Sequence, residues 1–377
     1  MAVYLDNSAT TKPCREAVEA VNYMMTENFG NPSSLHTPGI EAAKSLISAR
    51  EAIARALGCE KDEIYFTSGA TEANNLALFG SAAAKRRAGN RIVTTAIEHE
   101  GVVAAADELQ KQGFEVIRLM PDKHGNISAA DFAEAINDKT ILVSAMYINN
   151  EIGSIMPIDK IKKIIEMKKA PALFHTDCVQ AFGKVKISPR KLGADMISVT
   201  AHKIHGPKGT GALYIKKGTR ILPRVFGGEQ EKRMRPGTEA SPLIAGFGAA
   251  AAALPDTEMQ SQAVSGLNSY LRELLSKIDG IQFNSDENAS PYILNVYVPT
   301  FMRSQTIVQE LSSKYEVYVS NGSACAKGKK SHVLAAMHLS DEIADKSIRI
   351  SFSRFNTKQD CEICAAAIKD LTEKHPR

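Results

Sequence analysis

The chain has 377 residues, of which 44% are hydrophobic and 23% are charged, and its formal net charge is +4. This composition excludes an intrinsically disordered chain and is typical of a globular protein long enough to form two domains. The small net charge gives no indication of generic nucleic-acid binding.

The N-terminal sequence "MAVYLDNSATTKP" has no basic segment followed by an apolar one, so no signal peptide is predicted. The longest apolar run, residues 243–255, is shorter than the roughly 20 residues that span a bilayer. Six cysteines lie scattered along the chain, which does not indicate a disulfide framework. We therefore expect a cytoplasmic protein that makes no contact with a membrane.

Helical and β-rich segments alternate from about residue 15 to residue 255. "EAAKSLISAREAIARALG" predicts a helix that ends at Gly58, and "EIYFTSGATEANNLAL" predicts a strand, a turn at Gly69 and a second helix. Further β-rich runs follow, with helical segments such as "IDKIKKIIEMKK" between several of them: "RIVTTAIEH", "TILVSAMYIN", "ALFHTDCVQ", "DMISVTAHK" and "GALYIKK". This alternation predicts an α/β domain with a mostly parallel sheet covered by helices.

The pattern changes after about residue 260, where "PYILNVYVP", "YEVYVSNG" and "SIRISFSRF" predict strands between helices. We interpret this part as a smaller α+β domain. The predicted boundaries are 15–257 for the large domain, and 1–14 together with 258–377 for the small one. "DCEICAAAIKDL" near the end predicts an amphipathic helix, in which Cys361 and Cys364 are packing residues rather than metal ligands.

Polar residues follow several of the β-rich runs directly, and the carboxyl ends of parallel strands are where α/β proteins bind ligands. Ala70 and Thr71 open a predicted helix whose N-terminus suits an anion, although a simple capped helix explains them equally well. Asp177 follows a strand, either facing the same cleft or serving as a turn residue. Lys203 lies between two β-rich runs, where confinement would lower its pKa and favour a Schiff base.

A metal site is the disfavoured alternative for the same region. His175, Asp177, His202 and His205 supply ligand types, but no ligand spacing typical of a zinc site accompanies them. A phosphate-binding helix end, an acid and a lysine together match what pyridoxal 5'-phosphate requires. The lysine binds its aldehyde, the acid faces its pyridine nitrogen and the helix end binds its phosphate. We predict this cofactor and no metal.

A single cysteine, Cys325, lies in the segment "SNGSACAKGKKSH" beside Lys327, Lys329 and Lys330. A lone cysteine is most often a buried packing residue. A thiolate nucleophile is the alternative, and the adjacent lysines would favour the thiolate form electrostatically.

The chain resembles the cysteine desulfurases of the NifS/IscS type, which are class V aminotransferase-like enzymes of PLP fold-type I. The resemblance runs from residue 4 to about residue 357, and its motifs are "YLDNSATT", "GNPSSLH", "FTSGATEANNLAL", "NNEIG", "HTDCVQAFGK", "AHKIHGPKGTGALY", "RPGTE" and "GSAC". It departs from the family most in the short, lysine-rich segment after Cys325.

The resemblance implies a role for each matching residue. Lys203 would form the Schiff base, Asp177 would face the pyridine nitrogen, Gln180 would lie near the phenolic oxygen and His99 would stack on the ring. The phosphate would be bound by Ala70, Thr71, Thr200 and His202, together with Thr238 from a second subunit, which implies a homodimer. The substrate's carboxylate would be bound by Arg349, with Asn150 and Asn7 nearby.

The implied activity is removal of sulfur from L-cysteine, giving L-alanine and a persulfide on Cys325. Lys203 would move protons, and the persulfide would pass to an acceptor protein of unknown identity, for iron–sulfur cluster assembly or thiolation. Three alternatives stay open: a selenocysteine lyase, an aminotransferase-like enzyme, and a non-catalytic sulfur-carrier or scaffold-binding protein. Alanine formation that depends on Cys325 separates the desulfurase from an aminotransferase.

Overall fold

The computed structural model describes residues 2–321 and 331–376. The strands in this part of the chain are β1 (Val3–Tyr4), β2 (Ile64–Thr67), β3 (Arg91–Thr95), β4 (Glu115–Leu119), β5 (Thr140–Ser144), β6 (Leu173–Asp177), β7 (Met196–Thr200), β8 (Gly211–Ile215), β9 (Gln282–Phe283), β10 (Ile293–Tyr297), β11 (Val317–Tyr318) and β12 (Ser347–Ser351).

Helices separate most of these strands. They are α1 (Arg15–Thr26), α2 (Thr37–Leu57), α3 (Ala70–Lys85), α4 (Glu100–Lys111), α5 (Ala129–Ala135), α6 (Ile158–Met167), α7 (Pro189–Leu192), α8 (Ser241–Ala252), α9 (Thr257–Leu275), α10 (Ser304–Tyr315), α11 (His332–Ala336), α12 (Asp341–Asp345) and α13 (Lys358–Lys374). The predicted helix α2 ends before Gly58, whose φ of 71° terminates it in a left-handed conformation.

A seven-stranded sheet in the order β2-β8-β7-β6-β5-β3-β4 forms the centre of the protein. Six of its strands are parallel and β8 is antiparallel to both of its neighbours, which confirms the predicted mostly parallel sheet. The strands β5, β6, β7 and β8 are buried along their whole length, and they therefore read as continuous apolar or small-residue runs.

Alternate residues of these strands enter different hydrophobic clusters. Leu142 and Leu173 belong to the cluster that contains the apolar faces of α3 and α4. Val143 and Phe174, one position later in each strand, belong to the cluster on the other side, which includes residues of α2, α6 and α8. Because side chains alternate across a strand, both faces of the sheet are covered and only its strand ends remain open to a ligand.

The last part of the chain contains a smaller antiparallel sheet in the order β12-β10-β9. The first strand, β1, does not join the large sheet but pairs in parallel with β11, and Asp6 forms a bridge with Ser351 at the end of β12. The predicted boundaries, 15–257 against 1–14 and 258–377, remain a prediction.

Helix α13 contains the CxxC pair. Cys361 and Cys364 are both buried, as the packing interpretation predicted, and burial raises the pKa of both thiols, to about 11 for Cys361. Within the described ranges, no helix has both the length and the apolar character needed to cross a membrane.

Candidate active site

A cavity of about 630 Å³ opens at the carboxyl ends of the parallel strands. Its lining comes from the segments that follow β2, β3, β5, β6 and β7, and from Ser331, His332 and Arg349 on the side of the smaller sheet. The residues predicted at separate strand ends therefore meet in one space, as the geometry of parallel sheets requires.

Asp177 is the last residue of β6 and is 4% exposed. Its Oδ2 accepts a hydrogen bond of 2.7 Å from the side chain of Asn74 on α3, and its Oδ1 accepts one of 2.9 Å from the backbone N–H of Val179. These two donors fix the orientation of the carboxylate at the cavity wall. Asn74 lies inside the "TEANN" motif, but sequence reasoning assigned it no role.

Lys203 ends the short turn Ala201–Lys203 that follows β7. Its Nζ donates to the carbonyl oxygens of Ser8 and Ala9, the latter at 2.7 Å. Gln180 donates from Nε2 to the same Ser8 carbonyl at 3.0 Å. The lysine amine is therefore held at the cavity by the N-terminal segment, and it shares the Ser8 carbonyl with Gln180.

The N-terminus of α3 faces the cavity with Ala70 and Thr71. Backbone N–H groups in the first turn of a helix have no partner inside that helix, so they are available to an anion. Thr200 is buried and donates its hydroxyl proton to the Thr210 carbonyl at 3.0 Å.

His202 lies next to this anion-binding region. Burial, with the positive charge of Lys203 as the second cause, lowers the pKa of His202 to about 3, so its ring is neutral at physiological pH. Its Nδ1 lies 3.2 Å from Thr10 Oγ1.

His99 both caps a helix and lines the cavity. Its Nδ1 accepts a hydrogen bond of 3.1 Å from the N–H of Gly101 at the start of α4, which leaves Nε2 as the protonated nitrogen of the neutral ring. A Cβ added at Gly101 would lie 3.3 Å from both His99 Nδ1 and Thr71 Oγ1. His99 and the start of α3 are thus close neighbours.

Arg349 lies in the middle of β12 and is 2% exposed. Its Nη1 donates to the backbone carbonyl of Asn150, and its Nη2 donates to Asp6 Oδ1, both at 2.9 Å. Its buried Nε has no partner among the residues that the structure describes. The structure therefore brings Arg349 and Asn150 together, with Asn150 contributing its carbonyl group.

Two of the predicted site residues that the structure describes are not among those that line the cavity. Asn7 is buried behind it, and its amide donates to the carbonyls of Tyr4 and Ser351 and to Asn356 Oδ1. Thr238 is exposed and lies outside the cavity of its own chain. Cys325, with Lys327, Lys329 and Lys330, lies outside the described residues.

Two buried glutamates beside predicted site residues were missed. Glu98 directly precedes His99. Its Oε1 accepts hydrogen bonds from the Thr95 hydroxyl at 2.7 Å and from the backbone N–H of Met146 at 2.9 Å. Burial raises the pKa of Glu98 to about 8. Glu151 directly follows Asn150, and its Oε2 accepts a hydrogen bond of 2.5 Å from the Ser331 hydroxyl. The motifs "IEHEG" and "NNEIG" contain both glutamates, but their partners are remote in sequence.

No group of three or more His, Cys, Asp or Glu side chains in the described chain is arranged to hold a metal ion. His175 lies inside the sheet, where its ring nitrogens are each 2.9 Å from a serine hydroxyl, of Ser144 and of Ser198. Burial lowers the pKa of His175 to about 3, so it is a neutral core residue.

The sequence and the fold both match known proteins over nearly the full chain. The model of the aminotransferase class-V family matches residues 3–363. Cysteine desulfurase IscS of Methanosarcina thermophila is 42% identical, over 99% of this chain and 92% of that protein.

Two solved structures are similar to this fold. A NifS-like protein has a TM-score of 0.93 and 35% identity, with 99% of this chain and 100% of that chain covered. A structure described as SspA in complex with cysteine has a TM-score of 0.83 and 33% identity, with 94% and 100% covered.

Proposed function

The chain belongs to the aminotransferase class-V family and is a cysteine desulfurase, and from this premise we propose how its own residues carry out the reaction. Pyridoxal 5'-phosphate is bound at Lys203, L-cysteine enters the cavity beside it, and sulfur leaves on Cys325. The observation that carries this proposal is that Lys203, Asp177 and Arg349 line one cavity.

The donors and acceptors in the cavity fit this cofactor. Lys203 supplies the amine, Asp177 supplies a carboxylate for the pyridine nitrogen, and Gln180 and His99 line the space between them. The phosphate is bound by Thr71, Thr200 and His202 with the first N–H groups of α3. When bound, the cofactor supplies an electron sink for the substrate's α-carbon.

Arg349 binds the carboxylate of L-cysteine. It is a buried cation with a planar group of donors, its Nε is without a partner in the described chain, and its two Nη atoms are already held by Asn150 and Asp6. Such a guanidinium is preorganised, so a carboxylate that binds it gains charge-assisted hydrogen bonds at little entropic cost.

Lys203 would move the proton at the substrate's α-carbon, because its amine lies at the cavity that the substrate enters. The Cys325 thiolate then forms a bond to the substrate's sulfur, and the carbon–sulfur bond breaks with its electron pair left on carbon. Protonation of that carbon gives alanine, and Cys325 keeps the sulfur as a persulfide.

The enzyme acts as a homodimer in this proposal, because Thr238 is exposed and lies outside its own cavity, where it is available to a second copy. The persulfide passes to an acceptor protein, for iron–sulfur cluster assembly or thiolation. A cytoplasmic location is part of the proposal. The five cysteines among the described residues are free thiols, which is typical of a reducing compartment.

The test is an assay of the purified protein with L-cysteine and dithiothreitol that follows sulfide, alanine and the mass of the Cys325 peptide. We expect equal amounts of alanine and sulfide, and an added mass of one sulfur atom on Cys325 before reductant is added. Cys325→Ala should abolish both products and keep the bound cofactor's visible absorbance.

Cys59→Ala is the matched control, because Cys59 is a half-buried free thiol that does not line the cavity. It should keep full activity. Alanine formed by Cys325→Ala would instead favour a selenocysteine lyase, and a keto acid in place of alanine would favour an aminotransferase-like reaction. A protein with no bound cofactor and no alanine would contradict the proposal.

A further inference from the structure

Lys184 is a buried cation that the reaction described above does not use. It lies in the turn after β6 and is 5% exposed. The charges that act on it are those of Lys203 and Arg349, and both are positive. Its Nζ lies 5.3 Å from the centre of the Tyr292 ring, which is a weak partner for an ammonium group.

The only side-chain hydrogen bond that the structure gives Lys184 among the described residues leads to the cavity. Its Nζ donates to Gln180 Oε1 at 2.8 Å. Gln180 donates from Nε2 to the Ser8 carbonyl at 3.0 Å, and Lys203 donates to that same carbonyl. Lys184, Gln180, Ser8 and Lys203 therefore form one continuous chain of hydrogen bonds.

Both partners of the Gln180 amide require the same orientation, because the Ser8 carbonyl only accepts a hydrogen bond and the protonated Lys184 only donates. An ammonium group has three donors and no acceptor, so the atom of Gln180 that meets it must be the carbonyl oxygen. The NH₂ group is then on the side of Ser8 and the cavity. One of its two hydrogens is used by the Ser8 carbonyl, and the other remains for a group bound in the cavity.

We propose that Lys184 is a positioning residue for the desulfurase reaction, which holds the Gln180 amide so that it presents an N–H donor to the bound cofactor. This inference rests on the proposed function, because it takes pyridoxal phosphate as the group that receives the donor. Lys184 acts through Gln180 and touches neither cofactor nor substrate.

The stability of the fold gives no reason for a lysine at this position. A buried charge without an opposite charge is costly, and an apolar side chain of similar size would avoid that cost. Burial lowers the pKa of Lys184 to about 7, with Lys203 and Arg349 as the further causes. His202, His205 and Tyr292 are the other ionisable groups near it.

The experiment compares Lys184→Met with Lys184→Arg in the enzyme loaded with pyridoxal phosphate. Methionine removes both the donor and the charge at similar length, whereas arginine keeps both. The readouts are the thermal unfolding midpoint, the pH midpoint of the bound cofactor's visible absorbance, and kcat and KM for L-cysteine. Lys162→Met is the matched control, because Lys162 is half-buried and paired with Asp195 outside the cavity.

We expect Lys184→Met to unfold at the same temperature as the wild type or higher. Its absorbance midpoint should move up by about one pH unit, because a nearby cation and a donor to the phenolic oxygen both disfavour protonation of the chromophore. We expect kcat to fall about tenfold with KM within about twofold, since the defect is in positioning. Lys184→Arg should have the same pH midpoint of absorbance as the wild type.

Gln180→Ala provides the second line of evidence. If Lys184 acts through Gln180, the double variant should have the same midpoint and kcat as Gln180→Ala alone. Additive effects would overturn the proposal. An unchanged pH midpoint of absorbance in Lys184→Met would also overturn it. The same holds if Lys184→Met loses activity only in proportion to its loss of thermal stability.

If Lys184→Met does not fold, Gln180→Ala tests the proposal alone, because an unchanged pH midpoint of absorbance in Gln180→Ala would overturn it. The wild type separates the two failures. A wild type without the cofactor band contradicts the proposed function, whereas a normal wild type with an unaffected Lys184→Met contradicts only this inference.

Discussion

The two sides of the cavity depend on contacts of different range in the sequence. On the sheet side, which comprises Asp177, His99, Thr71 and Lys203, two key contacts are local: Asp177 with Val179, and His99 with Gly101. On the small-sheet side, which comprises Arg349, Ser331 and His332, the contacts join residues that are far apart.

The side-chain bonds that join the small-sheet side to the rest of the cavity span large distances in sequence. Arg349 binds Asp6 and the Asn150 carbonyl, 343 and 199 positions away, and Ser331 binds Glu151, 180 positions away. His332 Nε2 lies 2.9 Å from the Glu98 carbonyl, 234 positions away. The sheet side therefore combines local contacts at the strand ends with the long-range bonds of Asp177 to Asn74 and of Lys203 to Ser8, whereas the small-sheet side exists only after the two parts of the chain have assembled.

The proposed function assigns different kinetic constants to the two sides. In that proposal the sheet side supplies the groups that do chemistry, so its loss should lower kcat. The small-sheet side supplies the group that binds the substrate's carboxylate, so its loss should raise KM.

The largest expected effect is that of Lys203→Ala. Without the amine no proton is moved at the α-carbon, and kcat should fall about 10³-fold or more. The measurement is alanine formation under saturating L-cysteine. The exposed Lys186, outside the cavity, provides the control, and Lys186→Ala should keep wild-type kcat.

Arg349→Lys tests the small-sheet side. Lysine keeps one positive charge near Asp6 but loses the planar group of donors, so KM for L-cysteine should rise about 100-fold. Initial rates over a range of L-cysteine concentrations measure this. A fall in kcat at unchanged KM would break the proposed division between the two sides.

Gly211→Ala tests the sheet side through packing alone. A Cβ at Gly211 would lie 2.7 Å from the Val199 carbonyl oxygen and 2.9 Å from Gly69 Cα, so the backbone before α3 must shift. We expect about tenfold weaker binding of pyridoxal phosphate and a loss of about 1–3 kcal/mol in the free energy of unfolding.

Gly266→Ala is the matched control for that change. Gly266 lies in α9 and an added Cβ there meets nothing within 4 Å. Because alanine favours a helix, this variant should be more stable by about 0.5–1 kcal/mol with unchanged cofactor affinity. Equal effects of the two alanines would contradict the packing argument.

Glu98 takes part in both sides through its carboxyl group and its carbonyl, and it predicts a pH-dependent effect on stability. Burial raises the pKa of Glu98 to about 8, above its ordinary 4.5, so the folded state binds this proton more tightly than the unfolded state. Its contribution to stability is therefore complete below about pH 4.5 and is lost as the pH rises through 8.

Glu98→Gln should remove this dependence, since glutamine does not ionise and can keep the bonds from Thr95 and Met146. The unfolding temperature of the variant relative to the wild type should rise between pH 5 and pH 8 and then stay constant. A constant difference across this range would show that Glu98 is ionised in the fold.

The same contrast explains how far the sequence allowed prediction. Alternation of β-rich and helical segments predicted the parallel strands, and the residues directly after them predicted the sheet side, including Asp177 and Lys203. The direction of β8 was not predicted, although residues 201–210 contain no crossover helix of the kind that joins two parallel strands.

The contacts of the small-sheet side and of the buried residues behind the cavity could not be predicted from local patterns. Nothing near Glu151 in the sequence indicates Ser331, and nothing near Arg349 indicates Asp6. Asn7 lies in a matching motif, but its amide donates to buried backbone carbonyls, and its role at the substrate stays a prediction. Lys184 also lies in a matching motif, but only its burial and its bond to Gln180 indicate the role proposed for it.

The N-terminal segment connects both sides, and this has a consequence for synthesis of the chain. Strand β1 pairs with β11, Asp6 binds Arg349 on β12, and the carbonyls of Ser8 and Ala9 hold the Lys203 amine. Residues 3–9 leave the ribosome long before residues near 350, so they must wait for those residues before they reach their final partners. The large sheet can form during translation, but the segment that holds the Lys203 amine is fixed only after residues near 350 have been made.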